Sequence, residues 1–151
     1  MNYEALLNDA DAEGLNIKER PFRTYDGRIK GKDIYLRKNM DSTEKACVLA
    51  EELGHHHTSV GDILDMTDVS NRKQERQARI WGYNKLIGLA GLIKAYESGC
   101  QNKYEVAEFL GVTDEYLQDC VECYRDKYGT GTEMNGYYIM FIPHLAIGKM
   151  V

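Results

Sequence analysis

An α+β fold is predicted for this chain by two observations. Residues 15–40 interleave apolar and charged side chains at the short spacing of strands, and much of the stretch from Asp41 to Tyr128 repeats apolar side chains at helical spacing. The length of 151 residues suits one domain able to close a hydrophobic core without disulfides, so residues 1–151 are expected to form a single domain.

Tyr3, Leu6, Leu7 and Ala10 recur at helical spacing, and Gly14 supplies a left-handed terminator, which predicts a first helix over residues 3–13. From Leu15 to Met40, Ile17, Phe22, Ile29, Ile34, Tyr35 and Leu36 alternate with charges and are interrupted at Asp26-Gly27 and Gly31-Lys32. The expectation is a small antiparallel sheet with short turns. Asp41 and Glu44 have capping-box spacing and open the helix KACVLAEELGHHH, whose Ala46, Cys47, Leu49, Ala50 and Leu53 cover more than one stripe. Such a helix is buried on most sides, and its polar side chains need partners.

Residues 59–69 read as a loop, after which Ser70 or Asn71 caps one long helix running through Trp81 and Leu86 to Ile93. Gly82, Gly88 and Gly91 weaken that helix by roughly 1 kcal/mol each, which predicts close helix packing around them. Two further helices follow, over about 103–110 and 113–128, separated by Gly111-Val112 and with Thr113 as a cap. NGYYIMFIPHLAIG reads as a final strand ended by Pro143, with Tyr137, Ile139 and Phe141 on one face.

Composition excludes several classes. No run approaches the roughly 18 apolar residues of a membrane span, and MNYEALLNDADAEG lacks the basic and apolar regions of a signal peptide, so a cytoplasmic protein is expected. Cys47, Cys100, Cys120 and Cys123 are then expected to stay reduced. A net charge of -5 repels a phosphate backbone unless a basic face is segregated from the rest, and no direct nucleic-acid binding is expected. The helix pair around Gly111 has the outline of a DNA-binding helix-turn-helix. Its second helix, however, carries Asp114, Glu115, Asp119 and Glu122, which favours scaffold or partner surface.

The chemistry concentrates in Glu51-Glu52-Leu53-Gly54-His55-His56-His57. Positions 51 and 55 lie one helical turn apart on one face, where two side chains can grip one metal, and Glu52 sits beside them. In H-E-x-x-H peptidases the two histidines hold zinc and the glutamate takes a proton from water whose pKa the metal lowers to about 7. Here the pattern is E-E-x-x-H, with Glu51 in the first ligand position, which alters charge and metal preference. Pairing Glu52 with His56 instead would leave Leu53 where the base belongs. Whether Glu51 or His56 completes the ligand set stays open, and His56 also suits a hydrogen-bonding role beside the metal. A third ligand is expected from a neighbouring helix. Glu75 is the best placed acid, its competing role being a surface ion pair with Arg72, Arg76 or Arg79 worth about 0.3 to 0.5 kcal/mol. Asp62, Asp65 and Asp68 are weaker candidates.

LAEELGHHHT followed by NRKQERQARIWGYNKLIG resembles the ImmA/IrrE family of metallo-endopeptidases, especially short members from phages and integrative elements. The resemblance extends over most of the chain, including EVAEFLGVTDEYL and YYIMFIP. It implies a minimal zincin (gluzincin-like) fold, one Zn2+ or another divalent transition metal, and cleavage of a helix-turn-helix repressor, which would make the chain an antirepressor. Position by position, Glu52 matches the general base, His55 and Glu75 match ligands, and Glu51 occupies the place of the first histidine. The alternative is a pseudopeptidase that binds a repressor without cutting it, motivated by Glu51. Tyr137, Tyr138 and His144 are candidates for a transition-state hydrogen bond. Cys120-x-x-Cys123 reads as small core residues one turn apart.

Overall fold

The computed structural model describes residues 2–58 and 69–151, side chains of residues 69–71 excepted. The loop expected after Thr58, with Asp62, Asp65 and Asp68, lies outside the described residues, apart from Val69, which is helical. The chain divides into two compact units, residues 1–85 and 86–151.

In the first unit, α1 (Tyr3–Ala12) precedes β1 (Asn16–Arg20), β2 (Gly27–Lys30), β3 (Asp33–Arg37), α2 (Ser42–Thr58) and α3 (Val69–Leu86). Asn2 caps α1 by accepting from the Ala5 amide, and Gly14 takes its left-handed place at φ 77° just beyond the helix. The capping box of α2 is reciprocal: Glu44 N donates to Asp41 Oδ1 at 2.8 Å and Asp41 N to Glu44 Oε1 at 3.4 Å.

The sheet corrects the antiparallel expectation. Its order is β1-β3-β2, with β1 parallel and β2 antiparallel to β3, so it is mixed. The Gly31-Lys32 turn joins β2 to β3 as expected, but the connection from β1 to β2 leaves room for β3 between them. Burial explains the order. Ile34 and Leu36 of β3 are wholly buried, each worth about 2 kcal/mol, whereas the charged strands β1 and β2 are better tolerated at the edges. Gly27 is likewise not a turn residue. It opens β2 where that strand presses on α2, and a Cβ there would crowd Val48 and Glu52.

Helices α1 and α2 cover one sheet face, and α3 is braced to both. His57 on α2 stacks on Trp81 of α3 with ring centroids 4.6 Å apart, while its Nε2 lies 2.9 Å from Glu13. Lys85 of α3 pairs with Asp9 of α1 at 2.9 Å.

The predicted single helix to Ile93 is two helices. α3 ends at Leu86, and α4 (Gly88–Glu97) begins after a break at which Gly88 takes φ 64°. That left-handed backbone ends a right-handed helix at little steric cost only because glycine has no Cβ. Ser70 and Asn71 fall inside α3 instead of ahead of it.

In the second unit α4 is followed by α5 (Lys103–Leu110), α6 (Asp114–Tyr128), β4 (Gly131–Met134), β5 (Tyr137–Met140) and β6 (Ala146–Lys149). Gly111 at φ 70° ends α5, and Thr113 Oγ1 caps α6 by accepting from Tyr116 N at 3.1 Å. The close packing expected at the glycines is present at Gly91, which faces Leu110. The final strand is the centre of an antiparallel sheet, β4-β5-β6, in which β4 and β6 were not foreseen. The β4–β5 turn is Asn135-Gly136, both with positive φ, a dipeptide that signals such a hairpin. Ile139 and Phe141 are wholly buried, and Phe141 packs against the rings of both Tyr124 and Tyr128.

Candidate metal centre

Glu51, Glu52 and His55 share α2, and Glu75 lies on α3. The two helices approach closely beside the site. Gly54 faces the backbone of Ala78, and any Cβ at position 54 would overlap the Ala78 carbonyl oxygen. Gly54 immediately precedes His55, and Ala78 lies one turn beyond Glu75. The missing side chain thus lets the imidazole and the carboxylate meet.

His55 Nε2 lies 3.4 Å from Glu75 Oε2, with both side chains largely shielded from solvent. Glu75 Oε1 also sits 3.7 Å from Arg79 Nε, so the ordinary helix ion pair exists alongside the contact to His55. One ligand-type atom from each of Glu51, His55 and Glu75 falls within 4.8 Å of the others. His56 is exposed and belongs to no such cluster among the described residues. The geometry therefore brings together the set in which Glu51, not His56, accompanies His55.

Glu52 is buried on the side of α2 that faces β2. A Cβ at Gly27 would come within 3.3 Å of its Oε1, so the backbone of β2 runs directly past this carboxyl. Burial, reinforced by the charges of Glu51 and Glu75, pushes the Glu52 carboxyl up to about 8.

The donor set fits a divalent cation. Two carboxylates and an imidazole converge, and the buried Nδ1 of His55 has no hydrogen-bond partner among the described residues. Ligands of tetrahedral zinc stand roughly 3.4 Å apart, so closing the cluster needs side-chain shifts on the order of 1 Å. Three protein donors leave a coordination place open, as catalytic zinc sites do.

The family model described as the IrrE N-terminal-like domain, a peptidase family, matches residues 10–119, more than half of the chain. The chain belongs to this family. The match takes in β1 to β3, both helices of the cluster, α5 and the first turns of α6, so the IrrE-like region contains Glu51, Glu52, His55 and Glu75. No curated protein and no solved structure matches the chain significantly.

Tyr137, Tyr138 and His144 all belong to the second unit. The Tyr137 hydroxyl donates to Glu97 Oε2 at 3.1 Å, and His144 is exposed. On α6, Asp114, Glu115, Asp119 and Glu122 are all exposed, which sets like charge on the face that a recognition helix would turn to phosphates. No helix of the described residues is long and apolar enough to cross a membrane. Gly27 and Gly54 are the contributors that sequence reasoning missed. Gly54 stood inside the motif, but only a partner helix gives its lack of a side chain meaning.

Proposed function

We propose that this chain is a zinc-dependent endopeptidase of minimal zincin architecture, acting in the cytoplasm on a helix-turn-helix repressor of a phage or mobile element. The observation that carries the reading is the convergence of Glu51, His55 and Glu75 from two helices, with the buried carboxyl of Glu52 next in sequence to one of them. Membership of a peptidase family supports the reaction class. The repressor as substrate rests on the family likeness.

Glu51, His55 and Glu75 would hold the ion. When bound there, zinc supplies Lewis acidity, polarising a peptide carbonyl and making water nucleophilic at neutral pH. Glu52 is the general base: it takes a proton from the attacking water as the carbon–oxygen bond forms. It returns that proton to the amide nitrogen as the carbon–nitrogen bond breaks. β2 positions the substrate. It is an edge strand, its far edge pairs with no other strand among the described residues, and its backbone passes Glu52. An extended peptide added along that edge would lie beside the base. The close approach at Gly27 also keeps water from the inner side of Glu52.

The test is incubation of the zinc-loaded protein with a purified repressor encoded near its gene. Cleavage is expected, with loss of at least about 100-fold in rate for Glu52→Gln at unchanged zinc content. Absence of bound metal, together with equal repressor inactivation by wild type and Glu52→Gln, would replace catalysis with binding alone. Glu51 in the first ligand position is what makes that outcome a specific rival.

A further inference from the structure

The β1-β3-β2 sheet has a second face, and it is cationic. The strand register settles which residues lie there: Lys18 and Arg28 flank Tyr35, Arg20 stands opposite Arg37, and Lys30 stands opposite Asp33. Ile17, Glu19, Ile29, Ile34 and Leu36 alternate onto the other face, against α1 and α2. Five cations thus share one small sheet surface in a chain whose net charge is -5. Acids offset only two of them. Lys18 lies 3.7 Å from Asp33, and Arg37 pairs with Asp26 at 2.9 Å. Arg20, Arg28 and Lys30 are exposed and make no ion pair among the described residues.

Aromatic rings run through this charge. Tyr35 at the centre has Lys18 Nζ at 5.8 Å and the Arg20 guanidinium at 6.0 Å from its ring centroid. Phe22 stands edge-on to Tyr35 at 6.3 Å and meets Tyr25 at 4.6 Å, so three rings continue from the sheet into the loop after β1. Tyr25 is 39% exposed, high for a large ring.

We propose that this sheet face binds single-stranded nucleic acid. A single strand offers phosphates to the unpaired cations and unstacked bases to the rings, which is how sheet platforms hold such strands. An acidic peptide would satisfy the charge but leave the ring row without flat partners. The average charge of the chain disfavours phosphate, but binding responds to the local field, and the register gathers the unpaired cations on this one face. The inference does not depend on the peptidase reading.

The experiment is fluorescence anisotropy of a labelled oligothymidylate of about 20 nucleotides, longer than the roughly 4–16 nucleotides that one small platform occupies. Three unpaired cations predict a slope of log affinity against log salt of about -2, at about -0.7 for each phosphate contact. Arg28→Glu with Lys30→Glu, both exposed and away from the core, is expected to weaken binding at least about tenfold and flatten the slope. Tyr35→Ala is expected to weaken it by about five- to tenfold with the slope unchanged. Lys103→Glu, on α5, is expected to leave affinity within about twofold. No binding at low salt, binding indifferent to the double charge reversal, tighter binding of duplex, or equal displacement by polyglutamate would each overturn the proposal.

Discussion

Gly54 of α2 faces the carbonyl of Ala78 on α3 so closely that no side chain fits between them. This contact sets the separation of the helices that carry His55 and Glu75. Gly54→Ala forces a methyl group against rigid backbone, so the helices must part. The expected result is a stability loss of about 2 kcal/mol and a fall in zinc stoichiometry, although no ligand is altered. Thermal unfolding and elemental analysis of one preparation check both. A variant that is destabilised yet binds zinc fully would show that the approach does not position the ligands.

Glu51 supplies a carboxylate where H-E-x-x-H peptidases have imidazole. With Glu75 also acidic, the set is richer in oxygen and more negative than two histidines and a glutamate. Glu51→His is expected to raise zinc affinity at least about tenfold and to sharpen preference for zinc over manganese. Competition against a chelator of known affinity measures this. Unchanged affinity would place residue 51 outside the coordination shell.

In the metal-free protein, burying Glu52 near two carboxylates costs stability. Its folded-state carboxyl lies at about 8, above the unfolded value of about 4.3, so the folded form holds the proton more tightly. Stability therefore falls as pH rises from about 4.3 towards 8. Glu52→Gln removes that dependence. The variant should be more stable by on the order of 2 kcal/mol at pH 8 and nearly equal to wild type at pH 4. Denaturant midpoints across that range, with chelator present, are the measurement, and a gap independent of pH would contradict it.

Glu19 links three elements of the first unit. Its Oε1 lies 2.9 Å from Lys45 Nζ on α2, and its Oε2 accepts from the Tyr3 hydroxyl on α1 at 3.1 Å. The hydrogen bond from Lys45 holds its carboxyl below the usual range, ahead of the opposing effect of burial. A depressed carboxyl stabilises the fold above its unfolded pKa and loses that contribution as pH falls through the folded one. Lys45→Met should lower stability near neutrality by less than about 1 kcal/mol, since the pair is partly solvated. The difference should shrink in acid, as pH-dependent melting would reveal.

Gly88 holds φ 64° with open space around a Cβ. Gly88→Ala therefore costs backbone strain alone, about 1 kcal/mol, without a clash. A loss much above that in chemical denaturation would mean that α4 is repositioned.

Much of the site was legible because its spacing is local. One helical turn places residues 51 and 55 on one face whatever surrounds them, and the Asp41–Glu44 box and the Gly111 and Thr113 caps are also read within a few residues. The corrections concern relations between distant segments. Alternation marked the strands, but not that β3 would insert between β1 and β2, because apolar content decides which strand is central. The helical pattern crossed residues 86–88 without a break, since apolar spacing does not register one left-handed glycine. The strands β4 and β6 are short and weakly apolar, and the one local signal was Asn135-Gly136, the turn between β4 and β5.

The amino-acid order alone determined the helix that offers Glu51, Glu52 and His55, and the resemblance that the family match then established. Whether Glu75 would meet His55 was decided by tertiary structure. An acid one turn from Arg79 has the same local chemistry in an ion pair as beside a metal. Only the absence of a side chain at Gly54, set against the backbone of another helix, brings that acid to the imidazole. The cationic sheet face has the same origin: its charges are scattered along residues 18–37, and pleating and register gather them on one side.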